Sequence, residues 1–275
     1  MKKALCVLSL GFLATAGITN AAVSASGLSA YWDFNNNGND TAASYAGNAD
    51  TGNNVMGPVG THDGSYGAGL FGGGGYIGIG TASDGSHFET AHHPDVNPVD
   101  PNGNFTVAWW GNASAPFSTG WQAGVAKGEG NNWRFHRTGD SSTISWQGGG
   151  GDINSAANGL DNGVWHFFVG TKEADGSRNL YVDGVLSASG PGGTAINIAD
   201  TTPMMVGENP QANNREWVGQ IDDVSVWQRA LTGDEVGELY SRGLAGESLG
   251  QVIPEPTSGL LGAFAASLLL IRRRR

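Results

Sequence analysis

The chain has 275 residues, 46 of them glycine, and carries 14 Lys+Arg against 25 Asp+Glu for a formal net charge of −11. Six of the basic residues (Lys2, Lys3 and Arg272 to Arg275) lie at the two ends, so the body between them is more acidic still; this argues against nucleic acid and anionic lipid as ligands. The glycines are scattered rather than periodic, which excludes a collagen-like repeat, and no internal repeat of roughly 20–50 residues is present.

The first element is a basic start, Met1-Lys2-Lys3, followed by an apolar run from Ala4 to Ile18 and small residues at Thr19-Asn20-Ala21-Ala22. This pattern predicts a secretory signal peptide over residues 1–22. The single cysteine, Cys6, falls inside it, with no apolar stretch ahead of it to make a lipoprotein site. The exported part therefore has neither disulfide nor thiol chemistry and must be held by core burial, with or without a metal.

The body reads as β throughout, in short alternating runs separated by Gly, Asn and Asp clusters. Leu28-Ser29-Ala30-Tyr31-Trp32-Asp33-Phe34 opens it, and residues 35–54 are polar and small, as in a long loop. Tyr76-Ile77-Gly78-Ile79 is entered through four glycines. Phe105, Val107 and Trp109 share one strand face. Trp133-Arg134-Phe135-His136 and Thr143-Ile144-Ser145-Trp146 predict a hairpin around Gly139-Asp140, and Trp165, Phe167 and Val169 share a face in the next strand. In Leu180-Tyr181-Val182-Asp183-Gly184-Val185-Leu186, the Asp-Gly pair between apolar alternations predicts a tight turn with positive φ. Met204-Met205-Val206-Gly207 and the run from Gly219 to Trp227 complete the strands.

One short helix follows. Thr232 can cap it while Glu235 reaches back, a capping box, and Leu231 and Val236 are spaced as a hydrophobic staple. Gly243 is expected to end it, with residues 244–251 as a flexible linker.

The final segment, residues 252–275, has three parts: an extended Pro254-Glu255-Pro256, an apolar or small run from Thr257 to Ile271, and Arg272, Arg273, Arg274 and Arg275. About 15 residues span roughly 22 Å as a helix, short of a hydrocarbon core of about 30 Å. The arginines should stay cytoplasmic, and the prolines keep the preceding chain extended. The tail resembles the PEP-CTERM sorting signal of Gram-negative bacteria. That resemblance implies transient membrane insertion and removal by an exosortase-like membrane protease. It further implies an inner-membrane precursor that ends at the cell surface or in the extracellular matrix. The alternative is a plain tail anchor behind an incidental Pro-rich linker.

The body resembles the LamG-like jellyroll domains of the concanavalin A-like lectin/glucanase superfamily. Five pieces carry the likeness: Tyr31-Trp32-Asp33-Phe34, Asn104 to Trp109, Gly163-Val164-Trp165-His166, Leu180 to Gly184, and Gly219-Gln220-Ile221-Asp222-Asp223-Val224 leading to Arg229 to Glu235. The resemblance implies an all-β, two-sheet antiparallel jellyroll β-sandwich over residues 23–243 with one short C-terminal helix. It would be flanked by an N-terminal signal helix and a C-terminal hydrophobic helix. The superfamily holds lectins, adhesion modules, glycosidases and structural domains, so function must come from the site.

A glycosidase needs two carboxylates about 5–5.5 Å apart if retaining and about 6.5–9.5 Å if inverting. The glucanase-type acidic run is missing; Glu129, Glu173, Glu208 and Glu216 are isolated, and Asp222 and Asp223, adjacent in a strand, would point to opposite faces. No catalytic residue is assigned, and a paired buried carboxylate in a groove would favour the enzyme. The resemblance also implies a structural Ca2+ ion held by Asp40 and Asp222, with Asn36 and Asn39 completing an oxygen shell. The alternative is that Asp40 caps its own turn and Asp222 binds backbone amides. His87, His92 and His93 read as solvated loop histidines. For a sugar, exposed indoles beside amides are the chemistry required, and Trp121, Trp133 and Trp217 with Asn132 and Asn214 supply it; rim packing is the alternative. The expected role is a non-enzymatic surface or matrix module, with extracellular polysaccharide as the candidate partner. The alternatives are a glycoside hydrolase and a purely structural matrix protein.

Overall fold

In the computed structural model, residues 23–35, 37–42, 54–59, 65–71, 75–78, 86–114, 117 and 120–253 are described. The expected signal peptide, Asn36 and the sorting motif from Pro254 to Arg275 lie outside them.

Alternation sets the strands. Phe105, Val107 and Trp109 all turn inward from the nine-residue β6 (Phe105–Ala113), where they meet the inward residues of the partner sheet. Around it an eight-stranded sheet forms in the order β13 (Val185–Gly190), β12 (Arg178–Val182), β11 (His166–Lys172), β6, β15 (Gly219–Trp227), β4 (Gly75–Gly78), β3 (Ser65–Gly67). Its eighth strand, β1 (Leu28–Trp32), shares one edge of β15 with β4: β4 pairs with Gly219 to Ile221, and β1 with Val224 to Trp227. The second sheet runs β10 (Ile153–Asn154), β9 (Ile144–Gly148), β8 (Trp133–Arg137), β7 (Ala123–Ala126), β14 (Met204–Val206), β5 (His87–Thr90), β2 (Gly57–Val59). Every strand pairing is antiparallel. The expected all-β sandwich is present. So is the Asp183-Gly184 turn, with φ of 52° and 76°.

There are two cores. The first lies between the sheets and is aromatic: Trp109 packs on Phe168 at 4.6 Å and Phe135 at 5.7 Å, and Trp146 on Phe135 at 4.6 Å. Glycines make the room. A Cβ at Gly170 would stand 2.3 Å from the Trp146 ring, and one at Gly124 2.2 Å from Trp109. Four strand glycines, Gly111, Gly124, Gly148 and Gly170, are partnered to indole rings in this way.

The second core covers the outer face of the eight-stranded sheet. Ala108, Trp110, Phe167, Val169 and Tyr181 meet Leu231, Val236, Leu239, Leu249 and Ile253 there. The helix α1 (Gly233–Leu244) carries the expected capping box. Its stop differs from expectation. Gly243 is helical and lets Trp110 approach, since a Cβ there would be 2.3 Å from the ring. The left-handed residue is Gly246 (φ 86°); Gly246 N–H donates to Gly243 O and Glu247 N–H to Arg242 O, a Schellman stop.

Residues 244–251 are not a flexible linker either. A second short helix, α2 (Leu249–Val252), docks Leu249 and Ile253 into this core, with Ile253 only 1% exposed. The fixed fold thus runs to residue 253. The short polar segment looked like a spacer because its two anchoring residues are separated by a single turn.

Candidate functional site

Two of the three tryptophans proposed to stack on sugars cannot do so. Trp133 is fully buried and donates its indole N–H to Val96 O at 3.0 Å; Trp217 is 1% exposed, edge-on to Trp109 at 5.3 Å and Phe117 at 5.4 Å. Both belong to the inter-sheet core. Amides stand beside both because Trp133 opens its strand and Trp217 precedes one, so each inward indole adjoins loop residues. Asn132 is buried and holds Asp200 Oδ2 at 2.8 Å, whereas Asn214 is exposed in a left-handed turn (φ 64°).

Trp121 is the exception. It is 42% exposed and held at φ 64°, with its N–H on Gly139 O at 3.0 Å. A bulky residue in the left-handed region costs backbone energy, so the surrounding loop must enforce it. Because Trp133 and Phe135 of β8 face inward, Arg134 and His136 face out. Trp121 rests on the His136 ring at 5.3 Å.

From there a closed circuit of six side chains can be traced. His136 Nε2 lies 3.2 Å from Asp152, and Asp152 3.4 Å from Arg134. Arg134 lies 3.0 Å from Glu129, and Glu129 2.9 Å from Arg215. The Arg215 guanidinium stands 6.0 Å from the Trp121 ring centre. Glu129 also accepts from Asn209 Nδ2 at 2.6 Å.

Burial pushes the Asp152 carboxyl up, but the His136 hydrogen bond and the charges of His136, Arg134 and Arg178 outweigh it and hold the group below 3.8. On the outer face of the seven-stranded sheet the circuit sets the exposed Trp121 ring beside Arg215, Glu129 and Asp152, with Arg134 and His136 buried beneath them.

Arg134 and His136 were legible as outward residues once Trp133 was assigned inward. Glu129, Asp152 and Arg215 reach the circuit from separate connections, and no local signal marks them.

Behind the circuit, Glu208 and Glu216 are buried together. Burial first, then the Glu216 charge and a hydrogen bond with it, push Glu208 up to about 8. Isolated in sequence, the two are paired in space. Both side chains are buried, at 6% and 3% exposed, rather than open to a groove. Their backbone contacts, Glu208 accepting from Asn209 N at 2.7 Å and Arg215 N at 3.4 Å, brace the loop that carries Arg215.

Asp40 and Asp222 do not fit a calcium shell. Asp40 Oδ1 accepts from Tyr31 N at 2.9 Å and Ala42 N at 3.0 Å, and its Oδ2 from Asn54 Nδ2 at 2.9 Å. Asp222 accepts from Leu70 N at 2.8 Å, Phe71 N at 3.4 Å and Asp223 N at 2.9 Å. These oxygens face N–H groups that a cation would have to displace, and the two carboxylates tie different segments. Asn39 is exposed. Among the described residues no three His, Cys, Asp or Glu side chains converge as a ligand set. Of the histidines, His93 caps the turn at Pro94–Val96 and His87 lies 3.6 Å from Glu89. EDTA is accordingly expected to leave the thermal unfolding midpoint unchanged; a fall of several degrees, restored by calcium, would overturn this.

The sandwich with this outward circuit defines a jellyroll of the lectin-like class. The family model Laminin_G_3, of the concanavalin A-like lectin/glucanases superfamily, matches residues 83–237, and the chain belongs to that family. No curated protein sequence matches it. Among solved structures it is similar to the binding domain of Paraclostridial Mosquitocidal Protein 1, at 16% identity and TM-score 0.56, covering 71% of this chain and 50% of that one. It is similar to domain 4 of AbnA, a GH43 extracellular arabinanase from Geobacillus stearothermophilus in complex with arabinotriose, at 16% identity and TM-score 0.52, covering 76% and 96%. The botulinum neurotoxin type G receptor binding domain is 16% identical at TM-score 0.53, covering 79% and 51%. The chain thus spans about half the length of the two toxin domains. At these identities the likeness is one of fold.

Proposed function

We propose that this protein is an exported, non-enzymatic binding module that holds a glycan on the Trp121 circuit. The observation that carries the reading is Trp121 itself: a large exposed ring, kept in a costly backbone conformation, beside paired donors and acceptors. Flat sugar faces stack on such rings while hydroxyls bond to the charged groups around them. Two structural neighbours described as binding domains, and domain 4 of the arabinanase AbnA in complex with arabinotriose, support it. Glu129 and Asp152 are each engaged with Arg134, and Asp152 is held ionised, which suits holding hydroxyls better than donating a proton to a leaving group.

The terminal segments support export, with the C-terminal signal removed by an exosortase-like protease and the body delivered to the cell surface or matrix of a Gram-negative bacterium.

The test is a glycan array and titration calorimetry on the purified protein. Selective binding is expected, and Trp121→Ala should weaken it about 10- to 100-fold, the loss typical of an aromatic anchor. The midpoint should fall only modestly, since the ring is already 42% exposed and leaves the inter-sheet core intact. A blank array would leave the purely structural reading, and release of reducing ends would return the hydrolase.

A further inference from the structure

We infer that the glycan held on the Trp121 circuit is uncharged, a polymer of neutral pentoses or hexoses rather than of uronic or sulfated sugars. The inference rests on the binding role proposed for that site and specifies its ligand.

An acidic sugar is usually captured by a guanidinium group with a free fork, which takes the carboxylate or sulfate in two parallel hydrogen bonds. Arg134 offers none: it is buried, with one terminal nitrogen on Glu129 and the other on Asp152. Arg215 puts Nη1 on Glu129, which also takes Asn209. An anion on the remaining Arg215 nitrogens would therefore lie beside the Glu129 carboxylate.

The surroundings oppose an anion too. Asp140 is exposed in the turn whose Gly139 carbonyl takes the Trp121 N–H, and the chain as a whole has a net charge of −11. Long-range repulsion of that kind lowers the local concentration of polyanions. A neutral sugar meets no such cost. Its vicinal hydroxyls both donate and accept, and the circuit sets donor and acceptor side by side around one stacking ring.

The experiment compares arabinan and dextran with polygalacturonate by affinity electrophoresis and calorimetry on the intact protein, in low salt and in roughly half-molar salt. The expected result is a neutral polymer bound at least 10-fold more tightly than polygalacturonate, changing less than about 2-fold with salt. Glu129→Gln removes the negative charge beside Arg215. It should raise polygalacturonate affinity about 10-fold, and that gain should disappear in high salt. If Glu129→Gln does not fold, the preference of the unaltered protein decides alone. A preference for polygalacturonate that Trp121→Ala abolishes would overturn the neutral assignment and keep the binding role. Binding of none of the three polymers, together with a blank array, would overturn both.

Discussion

Gly170→Ala is expected to lower the thermal unfolding midpoint by about 6–12 °C, from a destabilisation of about 3 kcal/mol. The added methyl would stand 2.3, 2.5 and 2.7 Å from three atoms of the Trp146 ring. The ring has little freedom to withdraw. Phe135 lies against it at 4.6 Å, Gly148 closes on its far edge, and its Nε1 donates to Thr171 O at 3.2 Å. Gly170 does not have positive φ, so the effect is overpacking alone, free of backbone strain. Differential scanning calorimetry reads it directly. A midpoint within 1–2 °C of the parent would mean that the core can yield in a way its packing does not suggest. Gly124→Ala, against Trp109, should behave alike.

Asp223→Ala should cost about 2–5 kcal/mol, because it orphans two buried donors at about 1–3 kcal/mol each. Asp223 sits at the β-bulge of β15 with φ 55°, where its carboxylate accepts from the Tyr31 hydroxyl and from Leu249 N at 2.6 Å; Tyr31 Oη in turn accepts from Gly250 N at 3.2 Å. One carboxyl therefore joins the first strand, the last strand and the C-terminal α2. The variant should open residues 249–253 to limited proteolysis before the rest of the domain unfolds.

Burial drives both Asp222 and Asp223 well above the ordinary 3.8, and the charge of Asp223 adds to the shift of Asp222. A folded-state value above the unfolded one means that the native form keeps its proton longer. The contribution is full below about pH 4 and is lost as pH rises through the elevated values. Asp152 and Asp200 are shifted down and act in the opposite sense below that pH. The unfolding midpoint should therefore peak in mild acid and decline toward alkaline pH, with a shallower decline in Asp223→Asn. A midpoint that rises from pH 5 to 8 would refute this.

Strands, turns and the first helix were legible because each rests on local signals: the two-residue period of Phe105, Val107 and Trp109, the Asp183-Gly184 turn, and the Thr232/Glu235 box. What escaped the sequence is non-local. An indole carries no mark of whether it faces core or solvent, so Trp133 and Trp217 read like Trp121. The circuit joins Glu129 to Arg215 across 86 positions, a closeness brought about by the pairing of β7 with β14 and by the bridge between Ala123 and Glu216. Asp40 and Asp222 carried a metal expectation through the resemblance, but carboxylates bind cations and amide N–H groups alike, and only the donors around them decide which.

Ile253 is buried in the helical layer, which covers the outer face of one sheet, while Trp121 stands on the outer face of the other. The three residues Pro254 to Pro256 can reach at most about 10 Å. If the segment beyond them enters a bilayer, the domain has too short a leash to tumble. In the precursor, before that segment is removed, it would lie against the membrane with its helical layer inward and Trp121 turned away from the bilayer.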